Sequence, residues 1–95
     1  MKLIIAHLAS EEYVEAIAKA RFGNIYADTS GSGGSLNNIL EYAVEKVGSE
    51  KILFGSDTYS LAYAYPRVAL AEFSMSDKEN ILWKNALKLF PCAFR

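Results

Sequence analysis

The stretch Lys51-Ile52-Leu53-Phe54-Gly55-Ser56-Asp57 decides how the rest of the chain is read. Its apolar run, Ile52 to Phe54, has the length and the β-branched and aromatic make-up of a buried parallel strand. The run stops at Gly55, Ser56 and Asp57. A polar tip on such a strand is where α/β proteins place their chemistry. Side chains alternate along a strand, so an inward Asp57 implies an inward Gly55 and Leu53, with Ile52 and Phe54 facing covering helices. Gly55 then leaves room below the carboxylate for a metal or a small substrate. The same three residues also suit an ordinary strand-to-helix turn.

Two upstream stretches repeat the pattern. Leu3-Ile4-Ile5-Ala6 is an apolar run ending in His7, and Ile25-Tyr26-Ala27 ends in Asp28-Thr29-Ser30. Between them, Ser10 is placed to cap a helix, with Glu11 and Glu12 in its electropositive first turn. That helix runs to about Arg21, turns Val14, Ile17, Ala18 and Phe22 inward, and is broken by Gly23 and Asn24. Between the second and third runs, Leu36, Ile39, Leu40, Ala43, Val44 and Val47 recur at helical spacing. Ser35 is placed to start that helix and Gly48 to end it. Gly31-Ser32-Gly33-Gly34-Ser35 precedes it. Such a loop can cradle phosphate on backbone N–H groups, but it lacks the lysine of a P-loop and the dinucleotide glycine spacing, so a plain connecting loop is the other reading.

Downstream of Asp57, the segment Thr58 to Tyr65 carries Tyr59, Tyr63 and Tyr65, which can shape a pocket or pack the loop down. Pro66 suits the first turn of a short helix with Val68, Ala69 and Ala71. Ser76-Asp77-Lys78-Glu79 has the form of a capping box. The helix after it turns Ile81, Leu82, Ala86, Leu89 and Phe90 inward, together with Asn85, whose buried amide requires loop backbone as partner. Pro91 ends it. The expected strands are therefore 3–7, 24–29 and 51–56, and the expected helices 10–21, 35–47, 66–73 and 77–90. This alternation means an α/β fold with a parallel sheet and right-handed crossovers, its polar tips on one rim.

Composition narrows the function classes. A chain of 95 residues, 52% hydrophobic, suggests a single domain spanning 1–95 with a packed core. The formal net charge of −1 offers no basic stripe for nucleic acid. One cysteine, Cys92, excludes an internal disulfide and a cysteine-rich metal site, and points to a reducing, cytoplasmic setting. Lys2 and the apolar residues after it are too short a run for a signal peptide. No run approaches the roughly 18 residues that span a membrane.

Taken together, Ile4-Ile5-Ala6-His7, the run Ile25 to Ser30, the run Lys51 to Asp57 and the segment Ser76 to Ala86 resemble the C-terminal part of the amidohydrolase-related, metal-dependent hydrolases. The resemblance covers nearly the whole chain in the right order. It implies a (β/α)8 TIM barrel, in which about 31 residues make one βα unit, so that these residues hold about three. By resemblance they are the sixth, seventh and eighth units. It further implies that Asp57 binds a divalent metal, zinc by preference, and takes a proton from the attacking water. It implies that His7 binds a second metal or polarises substrate and water. On the residues alone, His7 equally suits a lone histidine satisfied by hydrogen bonds. Asp28, Thr29 and Ser30 match a pocket-lining tip without a catalytic role, and Asn85 is structural.

The family's His-x-His pair on the first strand, and its middle-strand ligands, have no counterpart here. A zinc site wants three or four protein ligands, and His7 with Asp57 makes two, so the chain by itself is expected to bind no divalent metal tightly. Two function classes follow. One is the C-terminal portion of a metal-dependent enzyme acting on a small molecule, by hydrolysis or decarboxylation. The other is a non-catalytic α/β module for binding or assembly. Three barrel strands leave open edges and an inner face, expected at Leu3, Ile5 and Leu53. This predicts a homo-oligomer or association with a missing N-terminal part, unless the tyrosines Tyr59, Tyr63 and Tyr65 fold over the gap.

Overall fold

The computed structural model describes residues 2–6, 11–19, 23–30, 39–55 and 61–91. The three apolar runs form strands β1 (Leu3–Ile5), β2 (Ile25–Asp28) and β3 (Ile52–Leu53). They make one parallel sheet in the order β1-β2-β3. Leu3 pairs with Ile25, Ile5 with Ala27, and Ala27 with Ile52. Helices α1 (Glu11–Ala18) and α2 (Ile39–Val47) follow β1 and β2, and α3 (Leu61–Ala69) follows β3. The last helical stretch consists of α4 (Met75–Glu79), a π turn (Asn80–Lys84) and α5 (Asn85–Leu89).

The helical faces expected from spacing largely form the core. Val14 and Ile17 of α1 and Ile39, Leu40 and Ala43 of α2 are buried against Ala27, Ile52, Val68 and Ile81. Each large aliphatic side chain so buried contributes about 1.5–3 kcal/mol of transfer free energy. Ala18, also expected inward, is exposed. Gly48 follows α2 with φ of 85°, and its N–H donates to the Val44 carbonyl at 3.0 Å. A positive φ is why glycine suits that helix end.

Several expectations change. Leu3 and Ile5 do not line the uncovered side of the sheet. Through their pairing with Ile25 and Ala27 they share the helix-covered face, where Ile5 packs against the core. Alternation gives the opposite face to Ile4, Tyr26, Asp28, Leu53 and Gly55. Leu53 on that face is only 6% exposed, so the chain's own atoms cover it. The helix expected at 66–73 instead spans Leu61–Ala69, with Pro66 inside it. The strong helix formers before Pro66 outweigh the single bond its missing N–H removes. The final cap is Ser74 rather than Ser76. Its Oγ accepts from the Asp77 N–H at 3.1 Å. Phe90, expected inward, is exposed, because the chain leaves the helix there with φ −132° and ψ 62°.

The lower end of the sheet is tied by side chains. Asn85 Nδ2 donates to the Ser49 carbonyl at 2.6 Å and to the Ile52 carbonyl at 2.7 Å. This is the backbone partnership its burial required. Ser49 Oγ donates to Asp77 Oδ1 at 2.7 Å and accepts from Asn80 Nδ2 at 3.0 Å. Lys51 donates to the Gly23 carbonyl and stands 4.7 Å from the centre of the Tyr26 ring. Among the described residues no helix is long and apolar enough to cross a membrane.

Candidate functional site

Parallel strands bring their C-terminal ends to one side, so the residues after β2 and β3 meet there. Regular pairing ends where the Thr29 N–H donates to the Leu53 carbonyl at 2.9 Å. Beyond it a side chain continues the ladder. Thr29 Oγ1 donates to the Gly55 carbonyl and accepts from the Gly55 N–H, both at 3.1 Å. Thr29 is buried, and its hydroxyl supplies the donor and the acceptor that a neighbouring strand would have supplied.

Asp28 lies on the face opposite the helices. Its Oδ1 accepts from the Ser30 N–H and from Ser30 Oγ, a local turn that holds the carboxylate beside Gly55. A Cβ at Gly55 would stand 3.1 Å from Ser30 Cβ and 3.4 Å from Asp28 Cγ. The space that glycine leaves is therefore occupied by Asp28 and Ser30, and is not the vacant floor for a metal that the sequence suggested. Asp28 and Ser30 stand at this strand end, half-buried, and the buried Thr29 braces it.

The spacing of residues gave no notice of Arg67. It lies on α3, and its Nη1 donates to the Thr29 carbonyl at 3.3 Å. Its Nε and Nη2 are buried and have no hydrogen-bond partner among the described residues. Burial pushes the Arg67 guanidinium below its ordinary pKa, and the Glu41 carboxylate works against that shift. The available signal was a lone arginine beside Val68 and Ala69, on a helix that also packs Val68 into the core.

His7 and Asp57, the catalytic and metal-binding residues implied by the resemblance, lie outside the described residues, as do Ser35, Tyr59 and the run Gly31 to Ser35. Among the described residues no group of three or more His, Cys, Asp or Glu side chains can hold a metal ion.

A family model described as amidohydrolase matches residues 1–92. No curated protein matches. Solved structures share the fold, three of which follow. One is 2,6-dihydroxybenzoate decarboxylase from Rhizobium, at TM-score 0.76 and 22% identity, covering 97% of this chain and 35% of that one. Another is dihydroxybenzoic acid decarboxylase from Polaromonas sp. JS666 with bound manganese and the inhibitor 2-nitroresorcinol, at 0.73 and 22%, covering 97% and 34%. The third is 5-carboxyvanillate decarboxylase from Sphingomonas paucimobilis, at 0.73 and 19%, covering 95% and 33%. The chain spans about a third of the length of these structures. Its fold is α/β, a partial TIM barrel of parallel βα units.

Proposed function

The chain belongs to the amidohydrolase family, and we propose that it carries the last three βα units of a metal-dependent barrel enzyme whose other strands come from outside these residues. The observation that carries this is a family match over residues 1–92 on a chain whose three strands are parallel, with their ends on one side. His7 and Asp57 are the proposed ligands of a divalent cation, with Asp57 the proposed base in a hydrolysis and, in its protonated form, the proposed donor of the proton that replaces CO2 on the ring carbon in a decarboxylation. The bound cation supplies activation of water or polarisation of the substrate. The resemblance favours zinc, whereas the Polaromonas relative holds manganese.

Decarboxylation of a small carboxylated phenol is the preferred reaction, since the solved structures compared above are decarboxylases of such acids. A cytoplasmic setting, no nucleic-acid or membrane partner, and association with the rest of a barrel or with a second copy complete the proposal. Within the three-stranded sheet, β1 and β3 each present an edge that no described residue pairs, and barrel closure would pair both.

The test is a manganese titration of the isotopically labelled chain. Weak paramagnetic broadening is expected at the amides of Asp28, Thr29 and Gly55, and is expected to vanish in His7→Ala and Asp57→Asn. Broadening that both variants retain, or sub-micromolar affinity at one site per chain, would sink the two-ligand reading.

A further inference from the structure

Arg67 has no part in the chemistry proposed above, yet its guanidinium is drawn beneath the surface at the ends of β2 and β3. Nη1 reaches the Thr29 carbonyl over 3.3 Å, a long bond. Nε and Nη2 reach no partner among the described residues. Their N–H groups lie on the same edge of the planar guanidinium, the edge that takes both oxygens of a carboxylate in parallel. Leaving two charge-assisted donors buried and unmade is costly, and a long arginine side chain ordinarily carries its head out to water. Glu41 is close enough to act on Arg67 through space, but hydrogen-bonds to neither nitrogen.

We propose that the Nε–Nη2 edge of Arg67 is an anion slot that takes the carboxylate of a monoanionic aromatic acid. The aromatic-acid class rests on the function proposed above, whereas the slot rests on the guanidinium alone. A planar carboxylate satisfies both donors at once. The nearby Glu41 charge disfavours a doubly charged phosphate in the same place. Neither nitrogen has exposed surface, so an entering carboxylate must displace the atoms packed over them, and its affinity is modest.

The experiment follows the arginine Nε–Hε signals of the metal-free 95-residue chain by NMR. The ligands are benzoate, inorganic phosphate and the neutral ring analogue benzyl alcohol. Benzoate is expected to move the Arg67 signal saturably, phosphate to move it less, and benzyl alcohol to leave it in place. Arg67→Lys keeps the charge and loses the paired donors. It should weaken benzoate binding, read from backbone amides, by about tenfold, and Glu41→Gln should strengthen it. An Arg67 signal that benzoate never moves overturns the slot. So does unchanged benzoate affinity in Arg67→Lys. So does a signal that Glu41→Gln alone shifts as far as benzoate does, since Glu41 then already fills the edge. Metal takes no part, so failure here leaves the metal-dependent reading standing, and loss of that reading leaves this measurement valid.

Discussion

The two ends of β3 are held in opposite ways. At the lower end, Asn85 sends both amide hydrogens to backbone carbonyls, and Ser49 accepts from Asn80 while donating to Asp77. At the upper end, Thr29 braces Gly55 with a single hydroxyl, and Arg67 keeps two buried donors unmade. In βα architectures the lower rim serves stability and the upper rim serves chemistry. A rim that must receive a ligand holds polar groups in reserve, whereas a rim that only closes the fold makes its hydrogen bonds internally. The contrast predicts that substitutions at the lower end damage folding, and that those at Arg67 damage binding first.

The sharpest way to break that contrast is Asn85→Leu. The change removes two hydrogen bonds and strands the carbonyls of Ser49 and Ile52 in the core. It should destabilise the chain by about 3 kcal/mol, measured by urea unfolding. A loss below about 1 kcal/mol would mean that the lower end is not the anchor. The upper brace should matter somewhat less. Thr29→Val keeps the shape but leaves the Gly55 N–H and carbonyl unpaired, at a cost of about 2 kcal/mol, while Thr29→Ser should recover most of it. A loss in Thr29→Ser with none in Thr29→Val would show that Thr29 acts through its methyl group and not its hydroxyl.

The smallest effect, with the opposite sign, is expected from Arg67→Met. It removes a buried cation with unmade donors and gives up one long bond to the Thr29 carbonyl, so stability should stay level or rise by about 1 kcal/mol. The pH dependence follows from the depressed pKa of the base. The folded state disfavours the charged form, so the cost is fully present below the folded-state pKa and is relieved only as pH rises through it. Arginine titrates far above neutrality, so the difference between wild type and variant should be flat from about pH 5 to 9. A marked loss of stability in Arg67→Met would make the guanidinium a structural prop and erase the distinction between the ends.

Residue patterns alone were enough for the alternation of strands and helices, their parallel sheet, most of the inward faces of α1 and α2 and the need for partners at Asn85. These depend on local periodicity and on rules that hold for any buried amide. The resemblance in the four motifs reached the family through the same local residues. Tertiary structure decided the rest, because each remaining question is a choice between local options of nearly equal energy. Leu3, Ile4 and Ile5 are all apolar, so only pairing with Ile25 and Ala27 says which of them faces the helices. Ser74 and Ser76 each have an acidic residue three positions on, and the commitment of Asp77 to Ser49 accompanies the choice of Ser74. The room at Gly55 is visible in the sequence, but its occupants, Asp28 and Ser30, arrive from a strand more than twenty residues away. Arg67 looks like any surface arginine until α3 lays it over Thr29, and burial is a property of the packed chain that no run of neighbours encodes.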